Sequence, residues 1–592
     1  MMLKTDNQVP KNRYIIFNGM TILLMLLLLA RFFNIQIMNY DIYRKQADGN
    51  RIRGVSLEAP RGLILDRNGS ILVDNYPTYV LYCIPGELEN RRLEFSIISK
   101  DINLEESILE SNYKKYYRSR FLPTKLAKDL SFDQLSRIEE NKLALPGVFY
   151  KQHPERIYTQ EVRASHILGY MKDLDNTSSK IKEKHSDYKA GDLIGWMGLE
   201  KQFESILRGE KGASFYQVDA FGREVGVVLE GNELLPTPGK NLVTTIDISI
   251  QKTLEQELKD LRGVGILSIP ETGEIIACVS VPDYRPELFR GSMSGKDWNQ
   301  VIYDTNKPLL NRFANGLYPP GSTFKMLTTI ALLKNQRVNP AEKLECTGSY
   351  EFGDRFFRCW KETGHGFVNL EQAIEQSCNV YFYQTVQRLS LKELWTVWRQ
   401  FGFGQELGFD FPTESKGIIP DRAFMNKRYG RRGWAKGNLL NMAVGQGEIL
   451  VTPIQMATYI NHLATEGKAG KLHFLKGNKV LSESSPHYSS HIWNQVNAYM
   501  KKVVYGLSGT GKSANPKING LILAGKTGTA ENPHGLPHAW FIGFGNKHGK
   551  QVSLVLLIEN SGHGGEVAAP KARRIFAAYF NQSSTKIAEM SP

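Results

Sequence analysis

The chain has 592 residues, 41% hydrophobic and 23% charged, with a formal charge of +14. That length is too great for one ordinary domain, and the composition excludes a disordered chain because it can bury a sizeable core. The basic excess is scattered, with no RNP, zinc-finger or basic-helix pattern beside it, so no nucleic-acid partner is expected; it suits a surface near anionic lipids and acidic polymers.

From Tyr14 to Ala30 there is no charge, and Ile22 to Leu29 form the apolar centre of the run. Seventeen residues are at the short end for a spanning helix, but Arg31 can snorkel and let Phe32, Phe33, Ile35 and Ile37 extend it. Lys4, Lys11 and Arg13 precede the run, which places the amino terminus in the cytoplasm. A cleaved signal peptide is the alternative. Cleavage after Ala30 would put Leu28 where a small residue is wanted, and no lipobox cysteine is present. The expectation is a cytoplasmic stub (1–13) and one transmembrane anchor (14–38), with everything beyond lying outside the cytoplasmic membrane.

Residues 39–240 hold short alternating segments such as Thr78 to Tyr82, interrupted by charged helical stretches such as Leu130 to Lys142. No repeat is visible, and the region reads as an extended α+β pedestal and head without a chemical site. Pro236-Thr237-Pro238-Gly239-Lys240 marks a boundary. A strand from Asn241 to Thr245 and a helix from Ile248 to Leu261 follow. Gly265 to Ile269 and Glu274 to Val281, joined by Pro270-Glu271-Thr272-Gly273, give a hairpin signal. Three more strands are expected at Leu521 to Ala524, Ala539 to Gly543 and Val552 to Glu559, then a closing helix from Pro570 to Phe580. Residues 241–582 therefore predict a five-stranded antiparallel sheet wrapped by helices, with a tail at 583–592. The fold class is α+β, multidomain.

The chemistry-bearing pattern begins at Ser322-Thr323-Phe324-Lys325, which opens a strongly apolar helix. Ser322 and Lys325 are three apart and share one face of its first turn. A lysine near the positive end of the helix dipole, in a desolvated place, is disfavoured as an ammonium ion and can act as a base for the serine. An isolated S-x-x-K is common by chance. Here Ser377-Cys378-Asn379 follows about 55 residues downstream, and Lys526-Thr527-Gly528-Thr529 ends an apolar strand near the carboxyl terminus. The three in that order are far more specific than any one.

With these motifs the chain resembles the penicillin-recognising serine transferases, and within them the class B penicillin-binding proteins. The resemblance extends to Pro60-Arg61-Gly62 with Asp66-Arg67-Asn68-Gly69, to Arg156-Ile157-Tyr158-Thr159 (threonine standing where the family has proline), to Gly195-Trp196-Met197-Gly198-Leu199-Glu200, and to Gly445-Gln446-Gly447 with Thr452-Pro453. It implies a peptidoglycan DD-transpeptidase in which Ser322 attacks the penultimate D-Ala carbonyl of a stem peptide and Lys325 takes its proton. Ser377 and Lys526 would relay the proton to the leaving D-Ala, and Asn379 would hold the peptide amide. Thr527, Gly528 and Thr529 would bind the substrate, the two threonines taking its carboxylate. Backbone N–H groups of Ser322 and Thr529 would form the oxyanion hole, and β-lactams would acylate Ser322. No residue stands out to activate a deacylating water, which favours a transpeptidase over a β-lactamase.

Two literal matches to the phosphate-loop pattern occur, Gly506 to Ser513 and Gly520 to Thr527. Such a loop must follow a strand and open a helix. The first follows a helix-like stretch and runs into Pro516, and the second runs into Asn532-Pro533, so no nucleotide site is expected. Of five cysteines, Cys346, Cys359 and Cys378 group with His365, a donor set for a closed zinc site. The alternative is a Cys346–Cys359 disulfide with Cys378 a buried thiol. If Ser377-Cys378-Asn379 is extended or turn-like, Cys378 points away from the substrate and a metal would brace the catalytic motif from behind; Asp354 is a reserve ligand.

The setting of Trp360 and Gly364-His365-Gly366 resembles the elongation branch of the class B proteins. That resemblance implies a SEDS-family glycosyltransferase partner in the membrane. Residues 40–240 show no glycosyltransferase domain, which argues against a bifunctional class A protein. The division-type sibling is the nearest alternative. A β-lactam-sensing receptor is a further one, but such receptors carry several membrane spans and a cytoplasmic effector domain.

Overall fold

The computed structural model describes residues 11–44, 52–174, 188, 192–218, 224–227, 234–289, 295–431, 433–477, 480–482 and 485–589. Most of the expected stub thus lies outside the described residues. Helix α1 (Lys11–Phe33) continues as a π-helical turn, Asn34–Met38. The stretch Asn12–Met38 is long and apolar enough to cross a membrane, and its apolar side chains are exposed except for the half-buried Ile35.

Among the described residues Met171–Asp173 pairs antiparallel with Leu193–Gly195 in a small sheet, and two larger sheets frame the pedestal. Strands β1 (Ile52–Leu57), β6 (Gly212–Val218) and β7 (Glu224–Val227) form one. In the other, β3 (Ile71–Cys83) is the spine: it pairs antiparallel with β2 (Ile64–Leu65), β4 (Thr124–Ala127) and, from Val73 to Cys83, with β5 (Val148–Tyr158). The helical pattern around residue 135 forms as Phe132–Glu140, started by a capping box between Ser131 and Gln134. The strand expected at Asn241 to Thr245 is β8 (Leu242–Val243), which pairs in parallel with β2 in the pedestal sheet.

Three of the segments quoted for the family resemblance converge in the pedestal. Arg61 donates to Glu200 and Glu204 at 2.8 Å each, and Arg156 Nε donates to Glu200 at 2.7 Å. Glu200 is fully buried, and its two guanidinium neighbours hold its carboxyl below the usual range against the opposing effect of burial. Losing one partner of such a group typically costs about 3–5 kcal/mol, because the other charges stay buried without compensation. Thr159, where the family has proline, donates its N–H to Leu72 O at 2.9 Å. Proline could not make that bond, so the departure adds a tie at the end of β5.

The carboxyl-terminal part follows the expected plan. Helix α2 (Ile248–Glu257) leads into β9 (Gly263–Ser268) and β10 (Ile275–Val281), and the sheet is completed by β11 (Leu521–Ala530), β12 (His538–Lys547) and β13 (Lys550–Ile558). The order is β10-β9-β13-β12-β11, every neighbour antiparallel. Alternation along β13 explains its continuous apolar run. Leu554, Leu556 and Ile558 join a core with Leu254 of α2 and Phe576 of α8 (Ala568–Glu589), while Val555 and Leu557 join the core on the opposite side. That second core holds α3 (Lys325–Lys334), α6 (Pro453–Ala464) and α7 (Ser490–Tyr505). Helix α3 is thus packed against the sheet, with Lys325 to Leu332 all buried. Helix α8 continues past the expected closing helix through Glu589.

Candidate active site

Ser322 lies in a 3-10 turn, Gly321–Phe324, that runs directly into α3. In this tighter helix residues three apart eclipse, so Ser322 and Lys325 are brought onto one line. The turn is pinned from several sides. Gly321, at φ +56°, donates its N–H to Gly445 O at 2.8 Å, and Trp540 Nε1 donates to Pro319 O at 3.0 Å. A Cβ on Gly445 would come within 2.2 Å of Gly321 O, so the Gly445-Gln446-Gly447 segment can approach only because it lacks one.

Lys325 donates to Asn379 Oδ1 at 2.7 Å, to Ser377 O at 2.8 Å and to Ser377 Oγ at 3.2 Å. Lys526 donates to the same Ser377 Oγ at 3.0 Å and to Thr527 O at 3.0 Å. The structure therefore brings Lys325, Ser377, Asn379 and Lys526 into one network, while the Ser322 hydroxyl has no hydrogen bond among the described residues. Both lysines are fully buried. Burial pushes Lys325 down to about 8, against the raising effect of nearby thiolates, and pushes Lys526 well below its ordinary value, with the charge of Lys325 adding to the fall. Two ammonium ions sharing one dry serine is unfavourable, so the pair favours one neutral amine at Ser377.

The Ser377 backbone is left-handed (φ 54°), an uncommon conformation for serine, in the bend between α4 (Leu370–Glu375) and α5 (Asn379–Val386). The motif is therefore turn-like. The bend sends Ser377 to the two lysines and Cys378 to the other side, into a cluster with Cys346, Cys359 and His365. The four ligand atoms all lie within 4.8 Å of one another, with His365 Nδ1 3.5 Å from Cys346 Sγ and 3.6 Å from Cys359 Sγ. A tetrahedral zinc with ordinary bond lengths separates its sulfur and nitrogen ligands by about 3.6 Å. All five cysteines are free thiols, so the disulfide alternative is not what forms. Hydrogen bonds from Cys346 and Cys378 lower Cys359 strongly, and His365, though burial lowers it, is raised to about 9 by its bonds to Cys346 and Cys359. Three sulfurs and one imidazole at these separations fit the donor set of a zinc site. Asp354 is exposed at the tip of the Ser349–Arg358 hairpin and is not in the cluster.

Strand β11 carries Lys526, Thr527, Gly528 and Thr529 past the Gly321–Phe324 turn. Gly528 faces Trp540 of β12, and a Cβ there would lie 2.9 Å from Thr323 Cγ2. Sequence reasoning did not mark His563, whose Nδ1 is 3.5 Å from Thr529 Oγ1, because it follows the last strand in no recognisable motif. Neither phosphate-loop match opens a long helix: the first follows α7 and the second runs from Gly520 into β11. A cavity of about 250 Å³ in the pedestal shares no residue with the catalytic cluster.

A serine whose hydroxyl makes no hydrogen bond among the described residues, three positions before a buried lysine that shares Ser377 with a second lysine, is a pattern suited to acyl transfer. The penicillin binding protein transpeptidase domain matches residues 263–577, and the penicillin-binding protein dimerisation domain matches residues 56–244. The peptidoglycan D,D-transpeptidase MrdA of Haemophilus influenzae is 30% identical over 97% of this chain and 92% of its own. The penicillin-binding protein PBP2 of Helicobacter pylori, solved in complex with MreC, is 29% identical and superposes with a TM-score of 0.80 over 90% of this chain and 99% of its own. A chain of a solved peptidoglycan synthase complex is also 29% identical, with a TM-score of 0.70 over 97% of this chain and 99% of its own. The chain belongs to the penicillin-binding proteins with a transpeptidase domain.

Proposed function

We propose that this chain is an elongation-type peptidoglycan D,D-transpeptidase working through an acyl-Ser322 intermediate. The observation that carries the reading is the sharing of one serine hydroxyl, Ser377, by Lys325 and Lys526 behind Ser322. Ser322 Oγ attacks the penultimate D-Ala carbonyl and its proton passes to Lys325. Lys526 and Ser377 return a proton to the departing D-Ala nitrogen as the peptide C–N bond breaks. An acceptor amine then attacks the ester, restoring Ser322 and leaving the cross-link. The N–H groups of Ser322 and Thr529 receive the developing oxyanion, a role in which one donor is typically worth about 2.7–4 kcal/mol. Asn379 holds the peptide amide, and Thr527 and Thr529 take the terminal carboxylate. None of these steps needs a cofactor. β-Lactams would enter the same path and remain on Ser322. Given nascent glycan strands with pentapeptide stems, the protein should release D-Ala and form cross-linked muropeptides. D-Ala release without cross-links would instead identify a carboxypeptidase.

One relative belongs to a peptidoglycan synthase complex that coordinates polymerization and crosslinking, which supports a polymerising partner, read here as a SEDS-family glycosyltransferase in the membrane that supplies the glycan. Orientation follows from Lys4, Lys11 and Arg13, which precede the uncharged run that begins at Tyr14: the amino terminus is cytoplasmic and the catalytic domain faces the wall. Protease added on the wall side should degrade the chain beyond about residue 40; a protected carboxyl-terminal domain would reverse the topology.

Cys346, Cys359, His365 and Cys378 would hold one zinc, whose bound charge would fix the thiolates and brace Ser377 and Asn379 from behind. Structural metal binding contributes directly to folding free energy. Protein purified without added metal should contain one zinc per chain, and Cys359→Ser should lower Tm by about 5 °C or more and slow acylation by penicillin. Metal-free protein with unchanged Tm on chelation would sink the zinc reading and leave the serine chemistry standing.

A further inference from the structure

The segment Gly506 to Ser513, which mimics a phosphate loop in sequence, packs against the catalytic strand. Thr510 Oγ1 lies 2.7 Å from Thr527 Oγ1, the first threonine of the Lys526-Thr527-Gly528 motif. The backbone around Thr510 is held from three directions. Gly511 N–H donates to Val503 O of α7 at 2.9 Å. Ser508 N–H donates to Glu375 Oε1 at 2.9 Å and Thr510 N–H to Glu375 O at 3.3 Å, so the loop rests on the residue two before Ser377. Ser513 Oγ donates to Gly565 O at 2.8 Å, tying it to the segment that carries His563. The glycines serve this tight seat rather than a phosphate: a Cβ on Gly506 would lie 2.2 Å from Glu375 Oε1, and one on Gly509 2.4 Å from Val503 O.

We propose that Thr510 is a positioning residue for recognition of the substrate's terminal carboxylate, acting through Thr527. The inference rests on the reading that Thr527 takes that carboxylate. A hydroxyl has one proton to donate and two acceptor sites. If Thr527 donated to Thr510, it would have no proton left for an anion. With an anion in place the order is the reverse: Thr510 donates to Thr527, and Thr527 donates to the carboxylate, each bond polarising the next. The fixed loop keeps Thr510 in register for this, so the carboxylate-bearing ligand is favoured over its uncharged ester.

The test uses the full chain in detergent, with acylation by a penicillin and by its methyl ester measured side by side. Thr510→Val should lower the second-order acylation constant for the acid by about tenfold and that for the ester by less than about twofold. Thr510→Ser should restore the acid's constant. A merely structural role would depress both ligands together. Equal losses for acid and ester, no loss for either, or no rescue by serine would overturn the proposal. Should the valine variant not fold, Thr510→Ala read against Thr510→Ser gives the same comparison. Failure of the underlying reading looks different: wild-type protein would then show no preference for the acid, or no adduct on Ser322.

Discussion

Ser322→Ala is expected to abolish covalent labelling by penicillin and all cross-linking while leaving the melting temperature unchanged. The substitution removes one half-buried hydroxyl that has no hydrogen bond among the described residues, so nothing in the fold loses a partner. No second serine takes its place, because Ser377 Oγ is already engaged by both lysines at 3.0 and 3.2 Å. Gel fluorescence after incubation with a fluorescent penicillin checks this, and a labelled variant would refute the nucleophile.

Lys325→Ala should slow acylation by about 10²–10⁴-fold, the usual contribution of a positioned base. Its loss also leaves Asn379 Oδ1 and Ser377 O without their lysine donor. The sign of the pH dependence follows from burial. The base works only as the neutral amine, and burial brings Lys325 down to about 8, so wild-type acylation should rise as pH increases through about 8. The alanine variant should lack that rise. Stopped-flow acylation rates across pH 6–10 read both effects (a working range of about that width brackets the lysine), and a normal rate in the variant would move the base elsewhere.

The sheet and the motifs were legible for different reasons. Strands β9, β10 and β13 are buried on both faces, so their residues form continuous apolar runs that stand out in sequence. Ser322, the lysines and the Cys/His group stand out because the chemistry proposed for them demands those residue types. Geometry beyond one segment was not. Strand β11 continues to Ala530 through Lys526-Thr527-Gly528-Thr529, which breaks the apolar pattern because those positions serve the site. Lys325 faces Ser377 and Asn379, a contact set by the strained bend at Ser377 that no spacing encodes. The short strand at Leu242 has an ordinary pattern, and only tertiary pairing sends it to the pedestal. Thr510 was read within a phosphate-loop pattern, and only its 2.7 Å approach to Thr527 links it to the catalytic strand.

The central claim, that Ser322 is the acylated nucleophile, is tested most directly by mapping the penicillin adduct. After brief exposure to penicillin, the tryptic peptide Phe313 to Lys325 should gain the full mass of the intact antibiotic, because the lactam opens without losing an atom, and fragmentation should place the adduct on Ser322. An adduct on any other residue, or an unmodified peptide from fully labelled protein, would contradict the account.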